Sequence, residues 1–319
     1  MTLALGVDGG GTQTRCVVLD DHGRMVGSGV SGASKPDAVE ASVGTRHLHE
    51  AIRMACAGCG VESIDTAFLG IGGVNSDVDR QVVLGMLDGL GLRPGIPLGV
   101  DLDIVIALAG GTAGQPGITL IVGTGSSCYG RNAAGEAWRS GGWGYIVDDY
   151  GSGFFLGQQA LEAVIRAADG RAEPTALTEP CMAALGITDI NTIMHRIYYP
   201  KLDFNGIASL APLVVEVAER DATARAIVER GCAELALMVS TVTRKLRLPA
   251  DVLVIPVGSL GTVNVYYRRA LEAAIARVLP SARVRPPIAP PVIGAAFLAL
   301  QQVGITLPEA TLRMLAERG

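Results

Sequence analysis

The stretch GVDGGGTQT, from Gly6 to Thr14, lies between two apolar segments, Leu3 to Val7 and Cys16 to Leu19. This arrangement predicts a tight turn that joins two antiparallel strands. The three glycines from Gly9 to Gly11 let backbone N–H groups approach an anion that a Cβ would hold away. The stretch therefore predicts a phosphate-binding turn at the end of the first strand.

The residues around the glycines are suited to nucleotide binding. Gly10, Gly11 and Thr12 offer N–H groups and a hydroxyl to phosphate oxygens, and Asp8 at the strand end can face a phosphate-bound Mg²⁺ ion. A hairpin that needs glycine only for a positive φ is an equally good interpretation of this turn alone.

A second turn of the same kind follows about a hundred residues later. The apolar run ITLIV, which begins at Ile118, leads into Gly123, Thr124, Gly125 and Ser126, and a further strand follows. Two such loops predict two similar domains that face each other across a nucleotide. A dinucleotide-binding fingerprint needs a strand followed at once by a helix, and a P-loop needs GxxxxGK[ST]; neither pattern fits.

Four stretches, in one order along nearly the whole chain, resemble a known family. They are GVDGGGTQT (Gly6 to Thr14), the GTGS loop with its flanks (Gly123 to Gly130), GGWGYIVDDYGSGFFLG (Gly141 to Gly157) and PPVIGAAFLAL (Pro290 to Leu300). The chain resembles the N-acetylglucosamine kinase branch of the actin-like ATPase and sugar kinase superfamily, which is grouped with the BadF/BadG/BcrA/BcrD ATPases.

The resemblance implies an α/β fold with two ribonuclease H-like (actin-like ATPase) domains facing each other across a nucleotide and substrate cleft. It implies an ATP-dependent sugar kinase, a phosphotransferase with an alcohol group as acceptor, that uses ATP and Mg²⁺ on a small sugar. It places adenosine at Gly258, Ser259, Gly294 and Ala295, and the sugar at Lys35, Asp103, Ser127, Gly142, Trp143 and Asp149. A homodimer is compatible with the resemblance.

Phosphoryl transfer also needs a group that accepts the proton of the attacking hydroxyl. Asp103 stands where a short strand meets the helix DIVIALAG, and it matches the catalytic Asp that the resemblance implies. Asp101, two residues earlier, is the rival candidate, and a helix N-cap is the structural alternative for either residue. The spacing favours Asp103 as the catalytic base.

The substrate side departs from the N-acetylglucosamine kinases. Where those proteins would have Asn, Asn and Gly-Asp-Glu, this chain has Lys35, Ser127 and the run Asp148 to Tyr150. Asp149 keeps the family's Asp, which typically binds sugar hydroxyls. A lysine beside the sugar would suit an acidic sugar, such as N-acetylmuramic acid or a sugar phosphate. The competing interpretation places Lys35 in a solvated loop.

The periodicity predicts an N-terminal domain over residues 1–116 and a larger C-terminal domain over 117–319, with a helical insertion at about 155–250. The glycine-rich run Gly110 to Gly117 marks the boundary. The predicted strands are three within residues 3–29, then 66–71, 95–100, a meander over 118–138, and 253–257. The predicted helices are 38–57, 78–90, 103–110, 160–168, 208–220, 222–246 and one that begins at Gly294.

Composition narrows the choice of partners and location. The net charge of −5 argues against nucleic acid as a partner. Neither a signal peptide nor an apolar run of membrane-spanning length is present, so a cytoplasmic protein without a membrane partner is expected.

The six cysteines are expected to be reduced. Cys56 and Cys59 form a CxxC without a second ligand pair, so a structural role is favoured over a metal or redox role.

Two other functions remain open at this point. One is an activating ATPase of the 2-hydroxyacyl-CoA dehydratase or benzoyl-CoA reductase type, which would bind iron and sulfur. The other is a non-catalytic sugar-binding protein that responds to nucleotide.

Overall fold

The glycine turn joins two antiparallel strands in the computed structural model, which describes residues 1–36, 38–199 and 202–318. Strand β1 (Leu3–Gly9) pairs with β2 (Gln13–Asp20), and β2 pairs with β3 (Met25–Gly32). The N–H of Gly10 donates to the carbonyl of Gln13 at 3.0 Å and closes the turn. The predicted hairpin is confirmed.

The first sheet is completed by two parallel strands that alternate with helices. The elements are α1 (Ala41–Ala55), β4 (Thr66–Ile71), α2 (Asp77–Gly85), β5 (Leu98–Asp101) and α3 (Asp103–Thr112). The strand order is β3-β2-β1-β4-β5, and β1, β4 and β5 run parallel. The carboxyl ends of these three strands therefore meet at one edge of the sheet.

A second sheet repeats this arrangement. Its meander is β6 (Gly117–Val122), β7 (Ser126–Arg131) and β8 (Ala137–Gly141). The helices that follow are α4 (Gly153–Ala168), α5 (Thr178–Leu185), α6 (Ile193–Tyr198), α7 (Phe204–Ala208), α8 (Ala211–Val217) and α9 (Ala222–Lys245). The remaining elements are β9 (Leu253–Val257), α10 (Ser259–Thr262), α11 (Val265–Val278) and β10 (Arg283–Val284), and the strand order is β10-β9-β6-β7-β8. Two mixed sheets with helices confirm the predicted α/β class.

The last two helices, α12 (Pro291–Gln302) and α13 (Glu309–Arg318), pack on the first sheet. Unit 1 accordingly comprises Met1–Pro116 and Pro287–Gly319, and unit 2 comprises Gly117–Pro286. The boundary near residue 116 agrees with the sequence prediction. The assignment of everything after it to the second domain does not, because an apolar helix pattern does not reveal which of two sheets the helix will cover.

Alternation along β1 explains how both faces of the first sheet are covered. Leu5 and Val7 point to the side that α1 covers, whereas Ala4 belongs to the cluster formed with α3 and α12. Gly6 also faces α12, since a Cβ there would lie 2.3 Å from the backbone N of Ala296. The core on both faces is mainly aliphatic.

Several helix starts differ from the prediction, and two of them have an evident local cause. Helix α4 begins at Gly153 rather than Ala160, because the hydroxyl of Ser152 accepts a hydrogen bond from the N–H of Phe155 and caps it. Helix α12 begins at Pro291 rather than Gly294, since proline is well suited to the first helical position. Within the described residues, no helix combines the length and apolar character needed to cross a membrane.

Candidate functional site

The strand ends of unit 1 bring together the residues predicted for metal binding and catalysis. In the parallel pairing, Asp8 lies beside Gly70, and Gly70 lies beside Asp101 at the end of β5. The N–H of Gly72 donates to the carbonyl of Gly9 at 2.9 Å, and a Cβ on Gly72 would lie 3.2 Å from Oδ2 of Asp103. The edge therefore presents the carboxylates of Asp8, Asp101 and Asp103 around a stretch of glycine backbone.

Asp103 and Asp101 have different surroundings. Helix α3 begins at Asp103, and the N-cap position is taken by Leu102, which has no side-chain acceptor. The Oδ1 atom of Asp103 accepts the N–H of Ile104 at 2.8 Å, while its Oδ2 faces Gly72. Asp101 accepts the N–H of Leu102 and lies 3.5 Å from the guanidinium of Arg80. Asp101 is thus engaged in an ion pair, and Asp103 has the surroundings expected of a base.

Burial raises the proton affinity of both Asp8 and Asp103. Burial and the nearby charge of Asp103 raise the pKa of Asp8 to about 6, against the opposing charge of Arg15. Burial also raises the pKa of Asp103, and the ammonium of Lys35 opposes that shift. Paired carboxylates of this kind fit a divalent cation, which would offset both effects.

The donors at this edge are carboxylate oxygens, which suit a hard cation. No cluster of three or more His, Cys, Asp or Glu side chains suited to holding a metal occurs in the parts of the chain that the structure describes. Mg²⁺ commonly takes only one or two carboxylates and fills its remaining positions with water and phosphate oxygens. Asp8, near the end of β1, is a residue that could hold such an ion.

Lys35 lies against this edge rather than in open solvent. Its side chain is half-buried, and a Cβ on Gly72 or Gly73 would lie 3.4 Å from the Lys35 Cδ or Cε atom, respectively. Its charge lowers the pKa of Asp103. The interpretation of Lys35 as a residue of a solvated loop therefore does not describe its position.

The first glycine loop is oriented by its own carbonyl groups. The carbonyl of Gly10 accepts the N–H groups of Ser34 and Lys35, each at 3.3 Å. Because C=O and N–H point in opposite directions across a trans peptide, the N–H of Gly11 points away from those residues. Gly11 and Thr12 are both exposed, so the tip of this loop is open to an anion.

The second loop is oriented in the same way by α4. The carbonyls of Gly123 and Thr124 accept the N–H groups of Gly153 and Phe154, at 2.8 and 3.0 Å. These bonds satisfy the first N–H groups of α4 and turn the N–H groups of Thr124 and Gly125 away from the helix. Thr124 is exposed. The result is a pair of successive N–H groups directed outward, as in an anion-binding nest.

The residues predicted to hold adenosine are divided by the fold. Gly258, with φ +91°, lies beside the second loop, since a Cβ there would be 3.1 Å from the N of Gly123, and the exposed Ser259 follows it. Gly294 and Ala295 lie in α12 of unit 1 and are fully buried. A Cβ at Gly294 would lie 2.0 Å from the carbonyl oxygen of Ile106. Close packing of α12 on α3 accounts for these two residues, and we leave them out of the proposed nucleotide site.

Three of the predicted substrate residues of unit 2 lie together. Gly142 has φ +76°, and a Cβ on it would lie 2.6 Å from Oγ of Ser127. The next residue, Trp143, is 70% exposed, and its N–H donates to Oδ2 of Asp148 at 3.2 Å. Asp149 is buried, and its Oδ1 accepts the N–H of Ser126, the residue before Ser127, at 3.2 Å.

Two residues of this site were missed by the sequence reasoning. Arg15 lies opposite Asp8 in the β1–β2 pairing and lowers its pKa, which the hairpin register could have shown. Gly72 follows β4 and leaves room beside Asp103, and a glycine pair after a buried strand was the available signal.

The CxxC pair has surroundings that disfavour reactivity. All six cysteines are free, and burial together with the neighbouring Cys59 raises the pKa of Cys56 to about 12. A thiol with such a pKa is a poor nucleophile and metal ligand near neutral pH. These surroundings support a structural role for the pair.

Comparison with known proteins gives a consistent result. The family model of the BadF/BadG/BcrA/BcrD ATPases matches residues 5–299. The N-acetylmuramic acid/N-acetylglucosamine kinase of Clostridium acetobutylicum is 30% identical over 272 residues, which cover 84% of this chain and 88% of that protein. The N-acetyl-D-glucosamine kinase of Dictyostelium discoideum is 29% identical over 311 residues, covering 93% and 97%.

A solved structure supports the same relationship. A Chromobacterium violaceum protein described as a candidate N-acetylglucosamine kinase superimposes with a TM-score of 0.74 at 27% identity, covering 94% of this chain and 99% of that one. The similarity therefore extends over both sheets and most of the helices.

Proposed function

The chain belongs to the BadF/BadG/BcrA/BcrD ATPase family, and from this premise we propose that it is an ATP-dependent kinase of N-acetylated amino sugars. One observation carries the proposal: Asp103, Asp8 and the open glycine loop meet at one edge of the first sheet. That edge supplies a proton acceptor, a metal carboxylate and an anion-binding turn. These are the parts that phosphoryl transfer to a hydroxyl requires.

Asp103 acts as the base in this proposal. Its Oδ1 is held by the N–H of Ile104, so Oδ2 is the atom that accepts the proton of the attacking sugar hydroxyl. Lys35 favours the ionised form of Asp103 and thereby keeps the base ready. Gly72 leaves the space beside Oδ2 that a hydroxyl needs.

Asp8 would hold Mg²⁺, directly or through water. The ion, when bound, neutralises charge on the phosphate oxygens during transfer. In unit 1, the N–H of Gly11 and the hydroxyl of Thr12 would donate to phosphate oxygens. In unit 2, the N–H groups of Thr124 and Gly125 and the hydroxyl of Thr124 are donors of the same kind. Gly258 and Ser259, beside the second loop, are proposed to contact adenosine.

An N-acetylated amino sugar is the proposed substrate class because the curated relatives act on such sugars by name. One of them is named for N-acetylmuramic acid, which carries a carboxylate. The half-buried ammonium of Lys35 could pair with that carboxylate while remaining next to Asp103. Ser127, Gly142 and Trp143 are proposed to contact the sugar. A cytoplasmic location goes with the use of ATP, and the homodimer stays a prediction.

The proposal is tested by measuring ADP release with a coupled assay across a sugar panel. The panel holds N-acetylglucosamine, N-acetylmuramic acid, glucosamine, glucose and a control without sugar. We expect ADP release to depend on an N-acetylated sugar, and mass spectrometry to show one added phosphate on that sugar. ADP release that is independent of any sugar would contradict the proposal and favour an ATPase.

A further inference from the structure

We propose that Ser34 is a positioning residue: its buried hydroxyl, bonded to Thr14, orients both the first glycine loop, Gly9 to Thr12, and the side chain of Lys35. The inference rests on the proposed function, because it takes the phosphates of ATP to be the ligand of that loop and the carboxylate of an acidic sugar to be the partner of Lys35. Ser34 acts through these groups and touches neither ligand itself.

Two hydroxyl groups connect β2 to the segment that follows β3. Thr14 and Ser34 are both fully buried. The Oγ1 atom of Thr14 lies 2.8 Å from the carbonyl oxygen of Gly32 and 2.7 Å from Oγ of Ser34. Because a carbonyl can only accept, Thr14 gives its one hydrogen to Gly32, and the hydrogen between the two hydroxyls then comes from Ser34. The pair therefore fixes the course of the chain from Gly32 to Ser34.

Ser34 lies against the first glycine loop. A Cβ on Gly9 would be 2.6 Å from Oγ of Ser34, so the missing side chain at Gly9 leaves the space that this hydroxyl occupies. The N–H groups of Ser34 and Lys35 both donate to the carbonyl of Gly10, each at 3.3 Å. The direction of that carbonyl determines where the N–H of Gly11 points. Ser34 thus orients a backbone donor that the proposed function assigns to a phosphate.

The same segment directs the side chain of Lys35. A Cβ on Gly11 would lie 3.8 Å from Cδ of Lys35, and a Cβ on Gly72 would lie 3.4 Å from the same atom. The aliphatic stem of Lys35 therefore passes between the first glycine loop and the glycines after β4, and its ammonium lowers the pKa of Asp103. A lysine side chain is long and flexible, so the position of its backbone decides whether the ammonium reaches Asp103.

The functional consequence follows from this geometry. Loss of the Ser34 hydroxyl would leave the buried Thr14 without its donor and would release the segment that the pair fixes. The carbonyl of Gly10 would be held less firmly, so preorganisation of the loop for an anion would decrease. Lys35 would also lose part of its interaction with a sugar carboxylate. Affinity for ATP and preference for an acidic sugar should therefore decrease together.

The test measures nucleotide and sugar affinity separately in Ser34→Ala and Thr14→Val by calorimetric titration. Ser34→Ala removes one oxygen atom, and Thr14→Val removes the other hydroxyl while keeping the branched shape. Each variant is expected to show a roughly 3- to 10-fold higher Kd for ATP with Mg²⁺ in the absence of sugar. The ratio of the Kd for N-acetylmuramic acid to the Kd for N-acetylglucosamine, each titrated alone, is expected to rise by roughly 3- to 10-fold as well.

Three further variants make the result specific. Ser31→Ala is the matched control, because Ser31 is a nearby serine whose hydroxyl donates to Oε2 of Glu50 at 2.8 Å on the exposed surface, and its affinities are expected to be unchanged. Thr14→Ser keeps the hydroxyl and loses a methyl group, so it should retain the wild-type affinities even if its Tm falls. In the Lys35→Asn background, Ser34→Ala should still weaken ATP binding but should no longer change the sugar ratio.

Several results would overturn the proposal. Unchanged affinities in folded Ser34→Ala and Thr14→Val would show that the hydroxyl pair supports stability alone, and a change in only one of the two readouts would contradict the orientation of both groups by one contact. An equal loss of affinity for both sugars would indicate general damage. If Ser34→Ala fails to fold by circular dichroism, Thr14→Val against Thr14→Ser is the deciding comparison. Because the titrations need no turnover, they give a result even if the wild type phosphorylates none of the sugars tested, which would refute the proposed function alone.

Discussion

Replacement of Asp103 by Asn is expected to abolish most of the phosphoryl transfer while leaving the fold intact. Asn has nearly the same shape, and its Oδ1 can still accept the N–H of Ile104, the bond observed at 2.8 Å. Its amide nitrogen would then lie at the position of Oδ2, beside Gly72, where the sugar hydroxyl must deliver its proton. The substitution thus exchanges a proton acceptor for a donor and changes little else.

The magnitude follows from the role of a positioned base. General base catalysis contributes typically about 10²- to 10⁴-fold, so kcat should fall by that factor, which corresponds to about 2.7–5.4 kcal/mol in the barrier. Folding stability should not decrease. Asp103 and Asp8 carry like charges in a partly buried setting that raises both pKa values, and above those pKa values this repulsion opposes folding.

The assay combines kcat from ADP release with the Kd for ATP from calorimetry and the Tm from circular dichroism. The expected pattern is a low kcat, a Kd within about threefold of wild type, and an equal or higher Tm at pH 7.5. Asp101→Asn is the matched control, because Asp101 is a carboxylate two residues away that pairs with Arg80 at 3.5 Å. It should retain most of the wild-type kcat.

Retention of more than about a tenth of the wild-type kcat in Asp103→Asn would refute the assignment of the base. A large loss in Asp101→Asn with an active Asp103→Asn would move the role to Asp101. A large loss in both variants, with a lower Tm in each, would show that the strand end needs both carboxylates for structure.

Three further predictions concern the metal, the substrate and the packing of α12. Asp8→Asn should raise the Mg²⁺ concentration needed for half-maximal activity at least about tenfold, and unchanged Mg²⁺ dependence would assign Asp8 to the hairpin alone. Because burial raises the pKa of Asp8 to about 6, the variant should gain more stability at pH 7.5 than at pH 4. Lys35→Asn should move the acid limb of kcat/KM to higher pH for both sugars, since the pKa of Asp103 would rise. At a pH above that limb, it should lower kcat/KM roughly 10- to 100-fold for N-acetylmuramic acid but not for N-acetylglucosamine, and an equal effect on both sugars there would remove the proposed charge pairing. Gly294→Ala should lower the free energy of unfolding by about 1–3 kcal/mol or more, because its Cβ would lie 2.0 Å from the Ile106 carbonyl oxygen. A normal Tm with weakened ATP affinity would instead support a role of Gly294 in adenosine binding.

The sequence alone was sufficient for the local elements and their class. The hairpin around Gly9 to Gly11, the strand Thr66–Ile71 and the helix that begins at Asp103 were all predictable, because apolar periodicity and glycine turns are local signals. The repeat of the hairpin at Gly123 also predicted the second sheet. The structure starts α4 at Gly153 and α12 at Pro291, earlier in the chain than the sequence predicts, because a serine cap and a proline pair are weaker signals than apolar periodicity.

The candidate residues that lie at or just after strand ends could be named from the sequence, because strand order places those ends together. Asp8 and Asp103 are of this kind, and so are Gly123 and Gly258, which follow the parallel strands β6 and β9. Each could be named from its position in the chain. Arg15 could not, since its relevance comes from the pairing partner across the hairpin.

Tertiary structure alone decided which surfaces the remaining residues meet. The sequence pattern predicts Gly294 in a nucleotide site, but α12 returns to the first sheet and buries this glycine against α3. Lys35 came from a loop and lies beside Asp103, and Asp149 is buried with its carboxylate bonded to Ser126 of the second glycine loop. The physical reason is the same in each case: residue type and spacing determine local conformation, whereas the partner of a side chain far along the chain depends on how helices and loops pack.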